Sequence, residues 1–356
     1  MPHILQRIIS HNNTLSGLLS MGLSSRHRAN PLSSLRAESI YAAPVLFSGV
    51  ATLILNKNET DTISLHVKET VQKLLKLHAN TPNPVVFFLA GVLPGEATLH
   101  LKQLTMFGMI TRLPDNILHR IAKQMLICSP QSETTWFAQI RELCYKYDLP
   151  HPLKLLHQPP KQETFKSLIK AKVTDFWQQK LRGHAAPLTS LRYFHANYMS
   201  LAHPHPMWSA ATDSYSVNKI IVVARMLSGR FRCGSLVRHF SASETGLCKL
   251  CGTETEDIEH ILIPRCPALL GRRPQLLQYA RERLEPSPHC LKIFEEAISD
   301  SKFTNTVQFL LDPSVHPEVI LAHQNDDNTY PLILKITSTW CYSLYRLRAK
   351  LLENLV

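Results

Sequence analysis

Four residues between positions 248 and 266 constrain the fold of this chain more tightly than any other feature. Cys248, Cys251, His260 and Cys266 follow the spacing Cys-x2-Cys-x8-His-x5-Cys. Two thiolates with two residues between them can bind one ion from a tight turn, and Gly252 suits that turn. His260 and Cys266 then complete a closed Cys3His tetrahedron. That arrangement is typical of a structural zinc site and leaves no position for a catalytic water.

The alternative for these four residues is a set of three free buried cysteines and one surface histidine. An intracellular protein keeps its cysteines reduced, so clustered cysteines there favour a metal site over disulfides. Thr253 and Glu256 match a capping box, which predicts a short helix that begins there and carries His260. Zinc would then supply folding energy to residues 246–267, a segment with little core of its own.

The rest of the chain has the hydrophobic pattern of helices. Its 356 residues include 23 prolines and 12 glycines, which fits helices interrupted by proline and argues against glycine-rich nucleotide-binding loops. Asn30-Pro31 predicts a helix start, and an apolar stripe predicts an amphipathic helix over 63–78 with Leu65 on its polar side. Strand patterns are short, as at residues 191–194. We therefore predict a mainly α protein, a multi-helix array with a small Cys3His module.

Breaks in the helical pattern and Pro-rich connectors divide the chain into four predicted regions. Residues 1–125 form a first helical region, and residues 126–215 form a helical connector with Pro-rich linkers. Residues 216–285 contain a basic helix and the zinc-binding module, and residues 286–356 form the C-terminal helices. The chain shows no internal repeat and no long low-complexity tract.

The charge of the chain favours a polyanionic partner. The formal net charge is +12, which favours nucleic acid over a membrane surface as the complementary partner. Part of the surplus clusters around the cysteine motif, where arginines can contact phosphates and give salt-dependent binding. The alternative is a solvated face paired with Glu254, Glu256, Asp257 and Glu259. The predicted nucleic-acid-binding residues are Arg225, Arg230, Arg232, Arg238, Arg272 and Arg273.

The N-terminus and the apolar runs predict an intracellular location, nuclear or cytoplasmic, without membrane association. The first residues lack the basic segment and apolar core of a secretion signal. The longest apolar run, over 42–55, is interrupted by Pro44 and Gly49. It falls short of the roughly 20 residues that a membrane-spanning helix requires.

Residues before and through the cysteine motif resemble the zinc-binding region downstream of the polymerase in non-LTR retrotransposon reverse transcriptases. The phrases that carry this resemblance are residues 224–232, Arg238-His239-Phe240 and residues 256–262, with Cys266-Pro267 at the end. The N-terminal part is similar to the segment that ends the polymerase portion, through residues 44–49 and 91–97. The resemblance implies thumb-like helices over 1–125, a helical connector and the zinc region.

The catalytic residues of that family are missing from this sequence. Reverse transcriptases hold Mg²⁺ with paired aspartates on a hairpin, and Asp326-Asp327, the one Asp-Asp pair here, has no strand pattern around it. A restriction-type nuclease site is also rejected, because Asp300-Ser301-Lys302 ends a helical pattern and no aspartate precedes it after Cys266. We expect no polymerase activity. The chain would be a fragment, a truncated copy or the product of a late-starting gene model.

The sequence therefore predicts a nucleic-acid-binding, zinc-stabilised C-terminal region of a retrotransposon reverse transcriptase. By resemblance it would hold template RNA or target DNA near the polymerase portion of the parent protein. Two alternatives remain open at this point. One is a helical scaffold or protein-interaction module in which zinc only stabilises the fold, and the other is an inert transposon remnant.

Overall fold

The computed structural model describes residues 2–23, 29–114, 116–128, 135–239, 245–263 and 265–354. Within these ranges the chain is helical, and the only β pairing is an isolated antiparallel bridge between Leu247 and Thr255. The predicted mainly α class is confirmed. The strand candidate at 191–194 is wrong, because these residues belong to the end of a 3-10 segment and the turn after it. Phe240, which carries part of the resemblance, lies outside the described residues.

The described part of the first 200 residues contains ten α-helices. Short 3-10 or π segments extend or connect several of them, including Leu19–Leu23, Glu38–Ala42, Val50–Thr52, Thr189–Leu191 and Ala196–Tyr198. The α-helices are α1 (Pro2–Leu18), α2 (Pro31–Ala37), α3 (Ala43–Phe47), α4 (Lys57–Leu74), α5 (Asn83–Ala90), α6 (Gly95–Thr111), α7 (Ile117–Cys128), α8 (Trp136–Lys146), α9 (Pro152–His157) and α10 (Gln162–Ala185).

The described part of the remaining chain contains nine further α-helices and two 3-10 segments, Pro206–Ala210 and Pro313–Val315. The α-helices are α11 (Ser214–Leu227), α12 (Gly234–Val237), α13 (Ile258–Leu262), α14 (Pro267–Leu270), α15 (Arg273–Leu284), α16 (Pro288–Ser299), α17 (Phe303–Leu311), α18 (Pro317–Asn325) and α19 (Thr329–Glu353).

Local capping explains where several helices begin. The side chain of Asn30 accepts a hydrogen bond from the backbone N–H of Leu32, with proline at the first helical position, which confirms the predicted start of α2. Asn56 and Glu59 form a reciprocal capping box at the start of α4. The helix predicted over 63–78 therefore begins six residues earlier and ends at Leu74. Leu65 is 55% exposed, on the polar side as predicted.

The apolar run at 85–90 forms the centre of the N-terminal half. Every residue of α5 from Pro84 to Ala90 is buried, and Gly91 ends the helix in the left-handed region at φ 63°. A side chain at Gly91 would collide with the backbone of His203 and Pro204, so the connector packs directly against this turn. Helix α6 packs on α4 and α10, and its Gly108 lets the ring of Phe165 approach closely.

The long helix α19 organises the C-terminal half. It packs against α11 and α17 and also contacts α13, α15, α16 and α18. The main hydrophobic core extends from Leu15 to Leu344 and draws on all four regions predicted from the sequence. The division into those regions stays a prediction. A second, smaller core includes Ile4, Leu46 and Ile63 near the N-terminus.

No single helix in the described ranges has both the length and the apolar character needed to cross a membrane. Helices α5 and α6 meet these criteria only as a pair, across a bend of 59°.

Candidate metal centre and adjoining basic groove

The structure brings the four predicted ligands together. The candidate ligand atoms of Cys248, Cys251, His260 and Cys266 all lie within 4.8 Å of one another. Three of the four side chains are buried, and Cys251 is half-buried at the edge of the cluster. A group of three thiols and one imidazole in this arrangement can hold a metal ion.

The distances within the cluster fit a tetrahedral ion. The Sγ atoms of Cys248 and Cys266 are 3.9 Å apart, and Cys251 Sγ is 3.5 Å from His260 Nε2. Tetrahedral bonds of about 2.3 Å to sulfur and about 2.0 Å to nitrogen require edges of about 3.8 Å and about 3.5 Å. These two pairs of donor atoms already have the separation that a single tetrahedral metal ion demands, and the other donor pairs lie within 4.8 Å.

A tight backbone turn positions the first two cysteines. The N–H of Gly252 donates to the carbonyl of Cys248 at 2.7 Å, and the N–H of Cys248 donates to the carbonyl of Glu254 at 2.8 Å. Gly252 has φ 70°, the left-handed region that favours glycine, as the sequence predicted for this turn. The bridge between Leu247 and Thr255 closes the loop behind the two thiols.

Helix α13 presents His260 to the cluster, but its cap differs from the prediction. The predicted capping box of Thr253 and Glu256 is wrong, because Asp257 is the N-cap and accepts from the backbone N–H of His260 at 2.7 Å. Thr253 instead donates its hydroxyl to Cys251 Sγ at 3.3 Å. The helix begins later because Glu256 is engaged elsewhere and an aspartate one position on caps equally well.

A carboxylate fixes the orientation of the His260 ring. Nδ1 of His260 is 3.3 Å from Glu254 Oε2, while Nε2 faces Cys251. Such a carboxylate holds a metal-binding histidine in one tautomer and makes its other nitrogen a better ligand. Glu254 thus has a supporting role that the sequence interpretation did not assign.

The cysteines differ in how readily they ionise. Burial raises the pKa of Cys266 to about 12, aided by the nearby Cys248, and burial also raises the pKa of Cys248. At Cys251 burial acts in the same direction, but hydrogen bonds from Thr253 and from backbone N–H groups outweigh it and lower the pKa to about 6. A cation is therefore needed to hold all three as thiolates, which is the chemistry of a metal site.

Glu256 joins the metal loop to helix α19. Its two carboxylate oxygens accept from Arg348 Nε and Nη2, both at 2.7 Å, and Oε2 also accepts from the N–H of Gly234 at 2.8 Å. The pair is nearly dry, with 4% of the Glu256 side chain and 13% of the Arg348 side chain exposed. A second link comes from Trp340, whose indole donates to the carbonyl of Leu262 at 3.2 Å.

Three of the six predicted arginines lie in one cavity beside the metal loop. Arg225, Arg230 and Arg232 line a space of about 1080 Å³ together with Lys249 and Arg348. Nε of Arg230 is buried and has no hydrogen-bond partner among the described residues. A buried donor without a partner is uncommon and marks a place where a ligand oxygen can bind.

A second cavity of about 1450 Å³ adjoins the first. Arg225 lines both spaces, and Arg272 lines the second, where its Nε donates to Ser343 at 3.0 Å. We call the two cavities together the basic groove. Glu256 and Glu353 are its acidic residues. Nine lysines and arginines line it: Lys76, Arg225, Arg230, Arg232, Lys249, Arg272, Arg346, Arg348 and Lys350.

The other two predicted arginines lie outside the described lining of this groove. Arg238 is exposed at the end of α12, beside Gly246, and Arg273 is half-buried at the start of α15. The alternative interpretation paired the arginines with nearby acids. In the described residues Glu256 pairs with Arg348, and Glu259 pairs with Arg192 at 2.9 Å and with Arg265 of the motif at 3.9 Å.

Sequence reasoning missed the basic residues that other elements bring to the groove. Lys76 follows α4, and Arg346, Arg348 and Lys350 lie near the end of α19. The alternating arginines and lysine at 346–350 were the available signal, since a basic end of a helix suggests a polyanion contact. Their proximity to residues 225–232 depends on tertiary packing and has no local sequence signature.

Comparison with known proteins adds no relative: no protein-family model, no curated protein and no solved structure matches this chain. The fold and the site therefore define the class of this protein in general terms. It is an all-α protein, in its described residues, with a Cys3His group that can hold a metal ion.

Proposed function

We propose that this protein binds nucleic acid through phosphate contacts in the basic groove, next to a structural zinc site. The observation that carries the proposal is the convergence of Arg225, Arg230 and Arg232 with six further lysines and arginines on one concave surface. Such a concentration of positive charge attracts a polyanion and releases its counterions on binding. The net charge of +12 supports the same class of ligand.

Zinc is the proposed metal of the Cys3His cluster. Thiolates with one imidazole in a tetrahedron suit Zn²⁺ better than the hard cations Mg²⁺ and Ca²⁺, which prefer oxygen. Four protein ligands complete the coordination, so zinc here supplies folding energy rather than a reactive water. The ion holds the loop of Glu256 in place, and Glu256 in turn holds Arg348 at the wall of the groove.

The resemblance to the region downstream of the polymerase in non-LTR retrotransposon reverse transcriptases narrows the ligand to template RNA or target DNA. In this role the protein positions nucleic acid for a polymerase and performs no chemistry itself. Phosphate contacts fix the position and register of a nucleic acid and carry little sequence information. Binding that depends strongly on salt and weakly on sequence is therefore expected.

Filter binding or fluorescence anisotropy at two salt concentrations tests this function. Arg230→Gln and Arg232→Gln each remove one positive charge from the groove while keeping a polar side chain. Each should weaken binding of RNA or DNA and reduce the slope of log affinity against log salt by about one. Arg120→Gln, on the exposed face of α7, is the matched control and should change neither quantity.

Failure of the unmodified protein to bind any RNA or DNA at low salt would overturn the proposed function. Equal salt slopes for the groove variants, the Arg120 control and the unmodified protein would place the binding surface elsewhere.

A helical scaffold that binds another protein is a second candidate, favoured by exposed apolar side chains on α7 and the adjoining end of α6. Apolar residues on a helix surface that no neighbour covers are typical of protein contacts. This function predicts zinc in the purified protein without affinity for nucleic acid. The exposed residues are Met109, Leu113, Ile117, Leu118, Ile121 and Ile127.

A further inference from the structure

A row of aromatic rings runs along the basic groove. Tyr215, Tyr342 and Tyr345 line the second cavity, and Tyr345 with Phe231 lines the first. Neighbouring ring centroids lie 5.6 Å apart for Tyr215 and Tyr342, 6.2 Å for Tyr342 and Tyr345, and 5.9 Å for Tyr345 and Phe231. The rings therefore form one continuous series across both cavities, which we call the aromatic row.

The three tyrosines of the aromatic row are accessible from the groove, whereas Phe231 at its end is buried. Tyr215 is 56% exposed, and Tyr342 and Tyr345 are half-buried. A fourth tyrosine, Tyr279 of α15, lines the second cavity on another wall. A core aromatic cluster would be buried on all sides, so these rings have surface available for a flat ligand.

Cationic side chains flank the aromatic row. Arg225 and Tyr345 each line both cavities of the groove, and Arg272 and Arg346 line the second cavity with the tyrosines. Nucleic acid strands alternate flat bases with charged phosphates. Proteins that bind single strands combine a positively charged groove with aromatic side chains on which the bases stack.

The concave shape of the surface favours a single strand over a duplex as the ligand. Proteins that read duplex DNA usually insert a convex helix or ribbon into the major groove, whose bases are already paired and stacked. Here the tyrosine rings lie inside a depression between α11, α15 and α19. Only bases that are not stacked within a duplex can place their faces against these rings.

We propose that the basic groove binds single-stranded nucleic acid, with bases stacked on the aromatic row and phosphates on the flanking arginines. The inference rests on the proposed function and refines it, since it specifies the form of nucleic acid that this site takes. RNA and DNA strands share this chemistry, and parallel assays with oligouridylate and oligothymidylate distinguish them.

Substitutions that remove a ring without changing charge test the inference. In fluorescence anisotropy, Tyr215→Leu and Tyr342→Leu should each weaken binding of a 12-nucleotide oligouridylate or oligothymidylate by about 5- to 100-fold. The salt slope should stay unchanged, because no phosphate contact is lost. Tyr342→Phe keeps the ring and should bind like the unmodified protein. A blunt 12-base-pair duplex should bind more weakly than either strand and should not respond to these variants.

Matched controls separate stacking from a general loss of structure. Tyr145 is 90% exposed and Tyr198 is 68% exposed, and neither lies in the groove. Tyr145→Leu and Tyr198→Leu should leave strand binding unchanged. Circular dichroism melting of every variant identifies any that fails to fold.

Photocrosslinking of the unmodified protein to a strand containing 5-iodouracil gives an independent measurement. A base that stacks on a tyrosine should form an adduct with it, so digestion and mass spectrometry should locate adducts on peptides with Tyr215, Tyr342 or Tyr345. Adducts confined to Tyr145, Tyr198 or other residues outside the groove would overturn the inference.

The inference and the proposed function fail in different ways. If the arginine variants weaken binding while duplex and single strand bind equally and the leucine variants have no effect, stacking is refuted and phosphate binding stands. If neither strand nor duplex binds at low salt, both are refuted.

Discussion

The thiol of Cys251 is the most accessible donor of the Cys3His cluster, and its loss should disrupt metal binding. If the proposed zinc site is correct, we expect about one zinc ion per chain in the unmodified protein and far less in the Cys251→Ala protein. Because metal binding contributes folding energy, the segment around residues 246–263 should also become more susceptible to proteolysis. Inductively coupled plasma mass spectrometry of purified protein measures the zinc content.

The control for this substitution is Cys128→Ala, which removes an exposed cysteine outside the cluster. It should leave the zinc content unchanged. Equal zinc in the Cys251 and Cys128 variants would refute the ligand assignment.

The contact between helices α6 and α10 depends on the absence of a side chain at Gly108. A Cβ atom there would lie 2.4 Å from the ring of Phe165, which must then shift within a packed core. We expect Gly108→Ala to lower the free energy of unfolding by about 1–3 kcal/mol. Gly183→Ala in α10 is the matched control, because a Cβ at that position meets nothing within 4 Å.

Urea unfolding followed by circular dichroism measures both glycine variants. Gly183→Ala should raise stability by about 0.5–1 kcal/mol, since alanine loses less backbone entropy than glycine in a helix. Stabilisation by both substitutions would contradict a close contact between α6 and α10 at Gly108.

The link between the metal loop and helix α19 depends on the ion pair of Glu256 and Arg348. Glu256→Gln leaves a largely buried guanidinium without its counter-charge, and we expect a loss of about 3 kcal/mol in the free energy of unfolding. Glu296→Gln breaks the exposed pair with Lys292 and should cost less than about 1 kcal/mol. Thermal or urea unfolding compares the two.

The zinc content should survive Glu256→Gln, because Glu256 is not a ligand. Similar stability changes for the two glutamate variants would mean that the Glu256 pair is open to water in solution.

Two buried histidines make the stability of the whole molecule depend on pH. Burial lowers the pKa of His66 to about 4, with help from His11, and burial lowers the pKa of His100 to about 4, with help from Lys146. In the unfolded chain both titrate near 6.5. The unfolded state therefore takes up protons first as the pH falls, and stability declines from about pH 6.5 towards pH 4.

Each of these histidines should lower the free energy of unfolding by about 2 kcal/mol between pH 7.5 and pH 5. Urea unfolding at the two pH values should show a smaller decline for His66→Gln than for the unmodified protein. His203→Gln replaces an exposed histidine and should leave the decline unchanged. A decline of the same size in all three proteins would contradict the burial of His66.

Features set by short-range physics were predictable from the sequence. Helical class follows from apolar spacing and from caps such as Asn30, because both act within a few residues. The set of metal ligands follows from their spacing, which limits how four donors can reach one ion. The sequence predicted the N-cap of α13 four residues too early. Glu256 suits the first turn of a helix and Asp257 suits the N-cap, so local sequence does not choose between the two starts. A distant partner, Arg348, engages Glu256.

The sequence by itself determined the helical class of this protein and its candidate metal ligands. Only the tertiary structure decided which residues from distant parts of the chain surround the metal ligands and the helices. The basic groove combines Arg225 with Arg346 and Lys350 from α19, and the buried pair of His205 and Asp312 spans 107 positions. The physical reason is that hydrophobic periodicity, capping and ligand spacing are local. The contacts that build a groove depend on how whole helices pack, which no short segment encodes.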